Sequence, residues 1–433
     1  RLKPNTPSPP VPRLHCPQPP QGPREMAALS LLLALAAGAL PSATALRVDT
    51  DVAGSLARSK TENLDSYSFA HFVKDFQKPY AEGSEEWAMR EAIFRMNMEA
   101  IQWANGANHP AMTYKMGLSK FLDFTDAEKK SLLGYKGRGS RVKESDAATA
   151  FDRGGKALPF TFSVTQGKRA KLLGNVMDQG NCGSCWAAAA VATLEGQMEV
   201  NDTIMEEIER LMPYDQKVPS VPTLSLQGVV SCTANKRHCG GTGGCGGATV
   251  ELAYDMLKEY GGLPFAAEWS YSGSTGECRR DVFKSHRIGI TGYSVLPSNK
   301  LHPLQEALVS SGGPVAVSVD ATNWFLYSEG VYSDFSGDFT VNHAVTLMGY
   351  RMPEGLARGF YDIKNSWGSY WGESGHIRIE MKADEDRHCG TDRKTHDGLA
   401  CDGDPDTAWV CGTCGVLYDS VFPYGLTIEK VSR

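Results

Sequence analysis

The sequence predicts an α+β protein: a helical lobe and a strand-rich lobe facing each other across a cleft, with a separate helical unit in front of them. Three observations carry that prediction. An Ala-rich segment from Trp186 to Met198 reads as a helix in the first half of the main body. Strand-like apolar runs come only later, at Pro314–Val319, Ala344–Gly349 and Phe360–Lys364. Upstream of both, Glu86, Arg90, Phe94, Asn97, Ile101 and Asn105 recur at steps of three or four, which places all six on one stripe of a helix. A chain of 433 residues has room for two or three folded units.

Taken in order, the N-terminus comes first. Residues 1–25 begin with Arg and hold 9 of the 23 prolines; nothing in them could build a core. They read as a leader upstream of Met26 or as a Pro-rich arm. After Met26 an apolar stretch, Leu29 to Leu40, leads to Pro41 and the small-residue pattern Ala43-Thr44-Ala45. That is the form of a secretory signal over 26–45. About 12 apolar residues fall short of the roughly 20 a membrane span needs, so a signal is expected rather than an anchor. No second apolar run of spanning length follows, and the mature chain is expected to have no membrane segment.

Composition supports the same compartment. Of eleven cysteines, nine besides Cys16 and Cys185 lie between Cys182 and Cys414, a density that suits an oxidising environment. A composition of 41% hydrophobic and 22% charged residues is that of a globular protein. The net charge of -6 gives no electrostatic reason to expect nucleic acid as a partner.

From Ser66 to about Leu133 the chain is amphipathic and helical. Glu86 stands four residues before Arg90, the favourable orientation for an ion pair. The polar members of the stripe make a poor simple core, so a specific surface must match them. Residues 134–157, rich in Gly, Ser, Lys and Arg, read as an exposed linker open to proteolysis. The two lobes then divide near residue 280.

The chemistry is concentrated in Gln179-Gly-Asn-Cys182-Gly-Ser-Cys185-Trp186. A thiol attacks a carbonyl only as a thiolate, and a free thiol is mostly protonated at neutral pH. Cys185 stands just before the Ala-rich helix, whose N-terminal dipole favours the anion. A neighbouring imidazole would complete the activation. His343, in Val-Asn-His-Ala-Val, follows 158 residues later, and Asn365, in Lys-Asn-Ser-Trp-Gly, 22 residues after that. Singly, a cysteine here is usually half a disulfide and a histidine usually structural. The ordered set is what points to catalysis.

These residues together resemble the papain and cathepsin L-like cysteine proteases. The six-residue stripe matches the ERFNIN signature of their inhibitory propeptides. Gly117, Phe121 and Asp123 fit the family's Gly-x-Asn-x-Phe-x-Asp element, with Ser119 in place of Asn. The resemblance runs from about 66 to 433, apart from insertions at about 201–221 and 381–411. It implies a papain-like fold, with a helical left lobe and a β-barrel-like right lobe over 158–433, behind an inhibitory propeptide domain at 66–133. Maturation would fall within the linker, between about 145 and 158, just before Leu158-Pro159. Cys185 would be the nucleophile, His343 its acid–base partner, Asn365 the residue orienting the ring, and Gln179 an oxyanion donor beside the Cys185 N–H. Trp367 would shield the Asn365–His343 bond. Expected substrate contacts are Gly246, Gly247, Ala344, Trp367 and Asp419. The Gly246-Gly247 pair would lie along the substrate backbone or be a tight turn. Asp419 would sit at the floor of the main specificity pocket, able to accept Lys or Arg, or else face solvent. No metal or cofactor is implied. The partners implied are peptide or protein substrates and the chain's own propeptide, with the enzyme a monomer. The expected location is the secretory pathway, ending in a lysosome, a vacuole or outside the cell.

By the same resemblance Cys182 pairs with Cys245 and Cys232 with Cys278. Cys239, Cys389, Cys401, Cys411 and Cys414 remain, an odd number, and the family's usual partner for Cys414 is missing. Cys411-x-x-Cys414 with His388 and His396 also has zinc-site spacing, although disulfides are expected. Asp402, Asp404 and Asp406 resemble the start of a calcium loop without its glycine, and a solvated acidic loop is expected instead. The stretch 201–221, with the sequon Asn201-Asp202-Thr203, is expected to be a glycosylatable surface loop. Two competing readings stand beside the protease. One is a non-catalytic or inhibitory binding protein of the same fold, favoured by Ala187–Ala190 where relatives carry Phe and Ser. The other is a metal-binding C-terminal module.

Overall fold

Capping side chains set the start of each helix in the N-terminal unit, which comprises α1 (Phe69–Asp75), α2 (Glu85–Asn105), β1 (Tyr114–Met116) and α3 (Asp126–Leu132). Ser84 caps α2 by accepting from the Trp87 N–H, and Thr125 with Glu128 forms a capping box on α3. The computed structural model describes residues 60–61, 64–106, 112–134, 157–166, 172–211, 222–333, 339–398 and 400–429. The expected leader, the signal, Cys16 and nearly all of the linker lie outside them.

The six-residue stripe divides by chemistry. Phe94 and Ile101 are buried in a small core with Phe69, Phe72, Leu118 and Leu122. Its polar members meet backbone that would otherwise lack partners. Asn97 Nδ2 donates to Leu122 O (2.8 Å), and Asn105 exchanges two bonds with the Met116 backbone. Arg90 reaches Asp123 O and both oxygens of Glu128, with Glu86 a longer contact at 3.5 Å. Asp123 is buried and accepts from Lys78 and Tyr80. Ser119 donates to Phe325 O (2.8 Å), so this departure from the family pattern still ties the unit to the main body.

The helical lobe is built on α4 (Cys185–Glu199), joined by α5 (Asp202–Leu211), α6 (Leu226–Cys232) and α7 (Val250–Tyr260). Fourteen of the fifteen residues of α4 are buried. Its alanines allow that: Ala187–Ala190 are all in the core, and the space beside Ala188 and Ala189 is about 10 Å³, no more than one water needs. The alanines that favoured the non-catalytic reading therefore leave no packing defect. Gly196 is required where α4 crosses the strand-rich lobe, because a Cβ there would lie 2.3 Å from the Pro314 ring.

The inserted stretch after Asn201 corrects the expectation of a loop. Asp202–Leu211 is the helix α5, which Asn201 starts by accepting from the Ile204 N–H. Ile208 is buried and Ile204 and Met205 pack on the lobe's core. An amphipathic face outweighed the polar composition that suggested a loop. Asn201 itself is exposed.

The strand-rich lobe holds a nine-stranded sheet. Its strands are β2 (Thr161–Ser163), β3 (Arg287–Val295), β4 (Val315–Val319), β5 (Tyr327–Tyr332), β6 (His343–Arg351), β7 (Gly359–Lys364), β8 (His376–Met381) and β11 (Ser420–Glu429), with β1 at one edge. α8 (Leu301–Ser311) packs outside it. Along the sheet the order is β1-β5-β8-β7-β6-β4-β11-β3, with β2 pairing β6. β1 runs antiparallel to β5, Tyr114 opposite Gly330, so the N-terminal unit is docked by strand addition to an exposed edge. The second insertion forms a hairpin, β9 (Cys389–Asp392) with β10 (Ala408–Cys411).

Disulfides join Cys182 to Cys245, Cys232 to Cys278, Cys239 to Cys401 and Cys389 to Cys411. Among the described residues Cys185 and Cys414 carry none, and both are buried. With Cys411 bridged, Cys411-x-x-Cys414 is not a metal pair. Asp402 pairs with His238, and His396 with Asp406, so the acidic loop is bound to imidazoles.

Candidate active site

Cys185 is the first residue of α4, and β6, which begins at His343, packs against that helix. The Ala344 N–H, one residue after His343, faces the Cys185 sulfur. Antiparallel pairing of β6 with β7 brings Asn365, just past the end of β7, beside His343. His343 Nε2 lies 2.8 Å from Asn365 Oδ1. That oxygen also accepts from the Ser366 N–H, and a carbonyl oxygen can only accept, so Nε2 carries the proton. Nδ1 is then the nitrogen with a lone pair. It has no hydrogen-bond partner among the described residues. Trp367 is buried with its ring centroid 5.0 Å from that of His343, and Phe325 stacks on it at 4.7 Å.

Gln179 is buried on the same side. Its Nε2 donates to Leu132 O and to Cys182 O, both at 2.9 Å. Leu132 ends α3 of the N-terminal unit. The chain continues through Leu133 to Gly134, which lies on Gly183 so closely that a Cβ on Gly134 would sit 2.0 Å from Gly183 O. A Cβ on Gly247 would be 2.2 Å from Gly134 O. The N-terminal unit therefore fills the cleft between Gln179 and Gly247 and covers Cys185.

Burial sets the electrostatics of this closed form. It pushes the Cys185 thiol up to about 11 and His343 down to about 4, against the smaller opposing effect of the Asn365 bond. The helix dipole alone does not ionise a thiol that no water reaches. Both shifts favour the uncharged form, thiol and neutral imidazole, in this closed arrangement.

The remaining expected contacts separate. Gly247 touches the N-terminal unit through Gly134. Gly246 instead completes a tight turn under Thr242, where a Cβ would lie 2.2 Å from Oγ1. Asp419 is buried rather than facing solvent. It accepts from Ser318 Oγ at 2.7 Å and lies at the edge of a cavity of about 680 Å³.

Sequence reasoning missed the residues that hold Gln179. Ser366 Oγ donates to Gln179 Oε1 at 2.6 Å, while Tyr271 donates to Gln179 O and shares a bond with Ser184 Oγ. Ser366 lies inside the Lys-Asn-Ser-Trp-Gly motif and was legible there; Tyr271 gave no signal. Also missed was a buried group between the lobes. Glu195, pushed up to about 7 by desolvation, accepts from the Leu224 N–H; Glu199 accepts from Leu173, and Lys364 reaches Leu172 O.

Comparison with known proteins places this geometry. Residues 158–398 match the papain family of cysteine proteases, and residues 69–128 the cathepsin propeptide inhibitor domain. Digestive cysteine proteinase 3 of Homarus americanus is 32% identical over 331 residues, covering 75% of this chain and 92% of the relative. Cathepsin S of Mus musculus is 30% identical, covering 75% of this chain and 87% of its own length. Among solved structures, digestive procathepsin L 3 of Tenebrio molitor larval midgut superposes with a TM-score of 0.60 at 23% identity, covering 82% and 97% of the two chains, which is a likeness of fold.

Proposed function

Since the chain belongs to the papain family of cysteine proteases, we propose that it is a zymogen whose Cys185 and His343 hydrolyse peptide bonds through an acyl-enzyme. It is a cysteine-type endopeptidase carrying its own propeptide inhibitor domain. The single observation that carries the catalytic assignment is the bond from His343 Nε2–H to Asn365 Oδ1, which leaves the Nδ1 lone pair unengaged at the head of the strand that packs on α4.

When the propeptide leaves, water reaches the pair and the desolvation cost of its ions falls. Nδ1 can then take the thiol proton. The Cys185 thiolate attacks the scissile carbonyl carbon, and the carbonyl electrons pass to oxygen. Gln179 Nε2, freed from Leu132 O, and the Cys185 N–H donate to that oxyanion, where charge develops only in the transition state. The imidazolium at Nδ1 protonates the leaving amine as the C–N bond breaks, giving a thioester. Water then gives a proton to Nδ1 and attacks the thioester, releasing the acid and restoring the thiol. Trp367 keeps water off the His343–Asn365 bond. The lining of the cleft by Gly247 and Ala344 suits an extended substrate backbone on the acyl side.

In the uncleaved chain the inhibitor is the segment Leu132–Gly134, which occupies the amide of Gln179 and the groove at Gly183. We place cleavage of the linker between about 145 and 158, and action in the secretory pathway: a lysosome, a vacuole or the exterior. No helix of the described residues is long and apolar enough to cross a membrane.

The test is chemical. The acid-processed protein should turn over a fluorogenic dipeptide and take up one equivalent of a thiolate-directed epoxide at Cys185. A processed protein that neither reacts nor turns over would favour the non-catalytic reading.

Asp419 gives a second expectation. A buried carboxylate at the edge of a large cavity can receive a Lys or Arg side chain entering from the cleft. We expect Asp419→Ala to lower kcat/KM about tenfold for substrates with Arg second from the scissile bond and to leave those with Phe unchanged, roughly 1.4 kcal/mol of selectivity. Parallel kinetics on the two substrates checks it; an unaltered ratio removes Asp419 from specificity.

A further inference from the structure

The module from Glu385 to Cys411 does more than decorate the strand-rich lobe, because it reaches across the cleft and is anchored on both walls. On the strand-rich wall, Gly398 presses on Val341, two residues before His343; a Cβ on Gly398 would lie 2.1 Å from Val341 O. Asp392 accepts from the Val341 N–H at 3.0 Å, and Cys389–Cys411 ties the module's two ends together. On the helical wall, Ala400 O accepts from the Gly240 N–H at 3.1 Å, Asp402 N donates to Arg237 O at 2.8 Å, and Cys401 is bonded to Cys239. From Gly398 to Ala400 is two residue steps, which span at most about 7 Å. The two walls are therefore joined there by a very short span of chain.

The position of the bridge relative to the chemistry follows from Gly247. A Cβ on that glycine would meet two carbonyl oxygens at 2.2 Å, those of Gly134 and Gly240. Gly134 is the last described residue of the chain filling the cleft, and Gly240 is the point to which Ala400 is bonded. The strap thus begins directly beside the place where a bound backbone would leave Gly247. Lys130 of α3 pairs with Asp397 of the module at 2.8 Å, so the seated propeptide leans on the strap as well. A disulfide on one wall and a hairpin on the other leave it no free end to swing aside. Behind it lies the cavity of about 680 Å³, bordered by Thr249, Ala400, Cys401, Trp409 and Asp419.

We infer that this strap ends the acyl side of the groove, so that the enzyme prefers bonds a few residues from a free amino end over bonds deep in a chain. The inference rests on the Cys185 site and on Gly247 as the acyl side. A short amino-terminal portion fits between the strap and the cavity; a long one must turn sharply out beneath the strap, and a folded one cannot enter. The inference concerns the amino side alone, and extension on the carboxyl side of the scissile bond serves as its control.

The test is a peptide series sharing one cleavable core, extended by none, two or six residues on either side, and turned over by the processed wild-type enzyme. We expect kcat/KM to fall tenfold or more with six added amino-side residues and less than threefold with six on the carboxyl side. Opening the staple with C239S and C401S together should shrink the amino-side penalty below threefold while the shortest peptide is turned over as before. Equal tolerance of both extensions by the wild type would overturn the inference, and needs no variant. So would a penalty that survives in a folded, active double variant. Affinities of the same peptides for the processed Cys185→Ala chain separate the two readings: a tenfold amino-side loss there upholds the strap even if the catalytic assignment fails.

Discussion

Replacing Cys185 by Ala should reduce kcat/KM by at least about four orders of magnitude, and His343→Ala should do nearly as much. The two side chains act as one device. In the proposed mechanism the sulfur is useless as a thiol, and Nδ1, with its lone pair unengaged, takes its proton and later hands it to the amine. The double variant should therefore lose no more than the worse single one, since removing one partner already disables the other. What activity remains would come from the Gln179 amide and the groove binding substrate, neither of which the substitutions touch. The measurement is steady-state hydrolysis of a fluorogenic dipeptide by the processed chains, with circular dichroism to show that they fold. Activity within tenfold of wild type in Cys185→Ala would end the assignment of Cys185 as nucleophile.

The second large effect concerns latency. Gly134→Ala should unseat the propeptide while leaving the rest of the zymogen folded, because the new Cβ would lie 2.0 Å from Gly183 O and 2.5 Å from Gly183 C. Both are backbone atoms held beside Cys182–Cys245, so the neighbour cannot yield. Overpacking of this kind costs about 1–3 kcal/mol, roughly a tenfold to hundredfold rise in the open fraction. Cys185 should be alkylated faster by that factor in the intact chain at pH 7. An unchanged rate would show that Gly134 does not seal the site.

Acid should act on the same seat, and the signs can be followed group by group. His343 in the closed form lies near 4, below its ordinary 6.5. Its contribution to the closed state is therefore complete above about 6.5 and is lost as pH falls toward 4. Glu128, held near 2 by Arg90, loses its contribution only between about 4.5 and 2. Glu195 and Glu385, pushed up to about 7 by burial, favour the folded body at acid pH. Between pH 4.5 and 6, then, acid weakens the covering of the active site before it weakens the propeptide's own fold or the lobes.

How legible this was from sequence depended on how local the cause was. The stripe Glu86 to Asn105 was readable because helical periodicity places residues three and four apart on one face, whatever lies outside. The partner of each polar member was not readable: Asn97 meets Leu122 and Arg90 meets Glu128 only because the chain folds back. Ala187–Ala190 are small where relatives carry Phe and Ser, and that smallness lets Ala344–Thr346 of the opposite lobe lie close to α4. The segment after Asn201 has the polar composition of a loop, but Ile204, Met205 and Ile208 share one helical face, and that face packs on the core. Asp419 was placed in a pocket or in solvent with nothing to decide; its bond to Ser318 needed β4 and β11 side by side.

By itself the sequence determined the chemistry available to this protein: a cysteine before a helix, a histidine at the head of a strand, and an amide to follow. Those identities are local, and side-chain chemistry belongs to the residue wherever it sits. Only the tertiary structure decided which states those groups occupy. Burial beneath a distant segment, Leu132–Gly134, favours the uncharged thiol and imidazole here, and desolvation depends on everything packed around a group. The pairing of Cys239 with Cys401 was likewise beyond the sequence. Five leftover cysteines allow many pairings, and closeness across a cleft is a property of the folded whole.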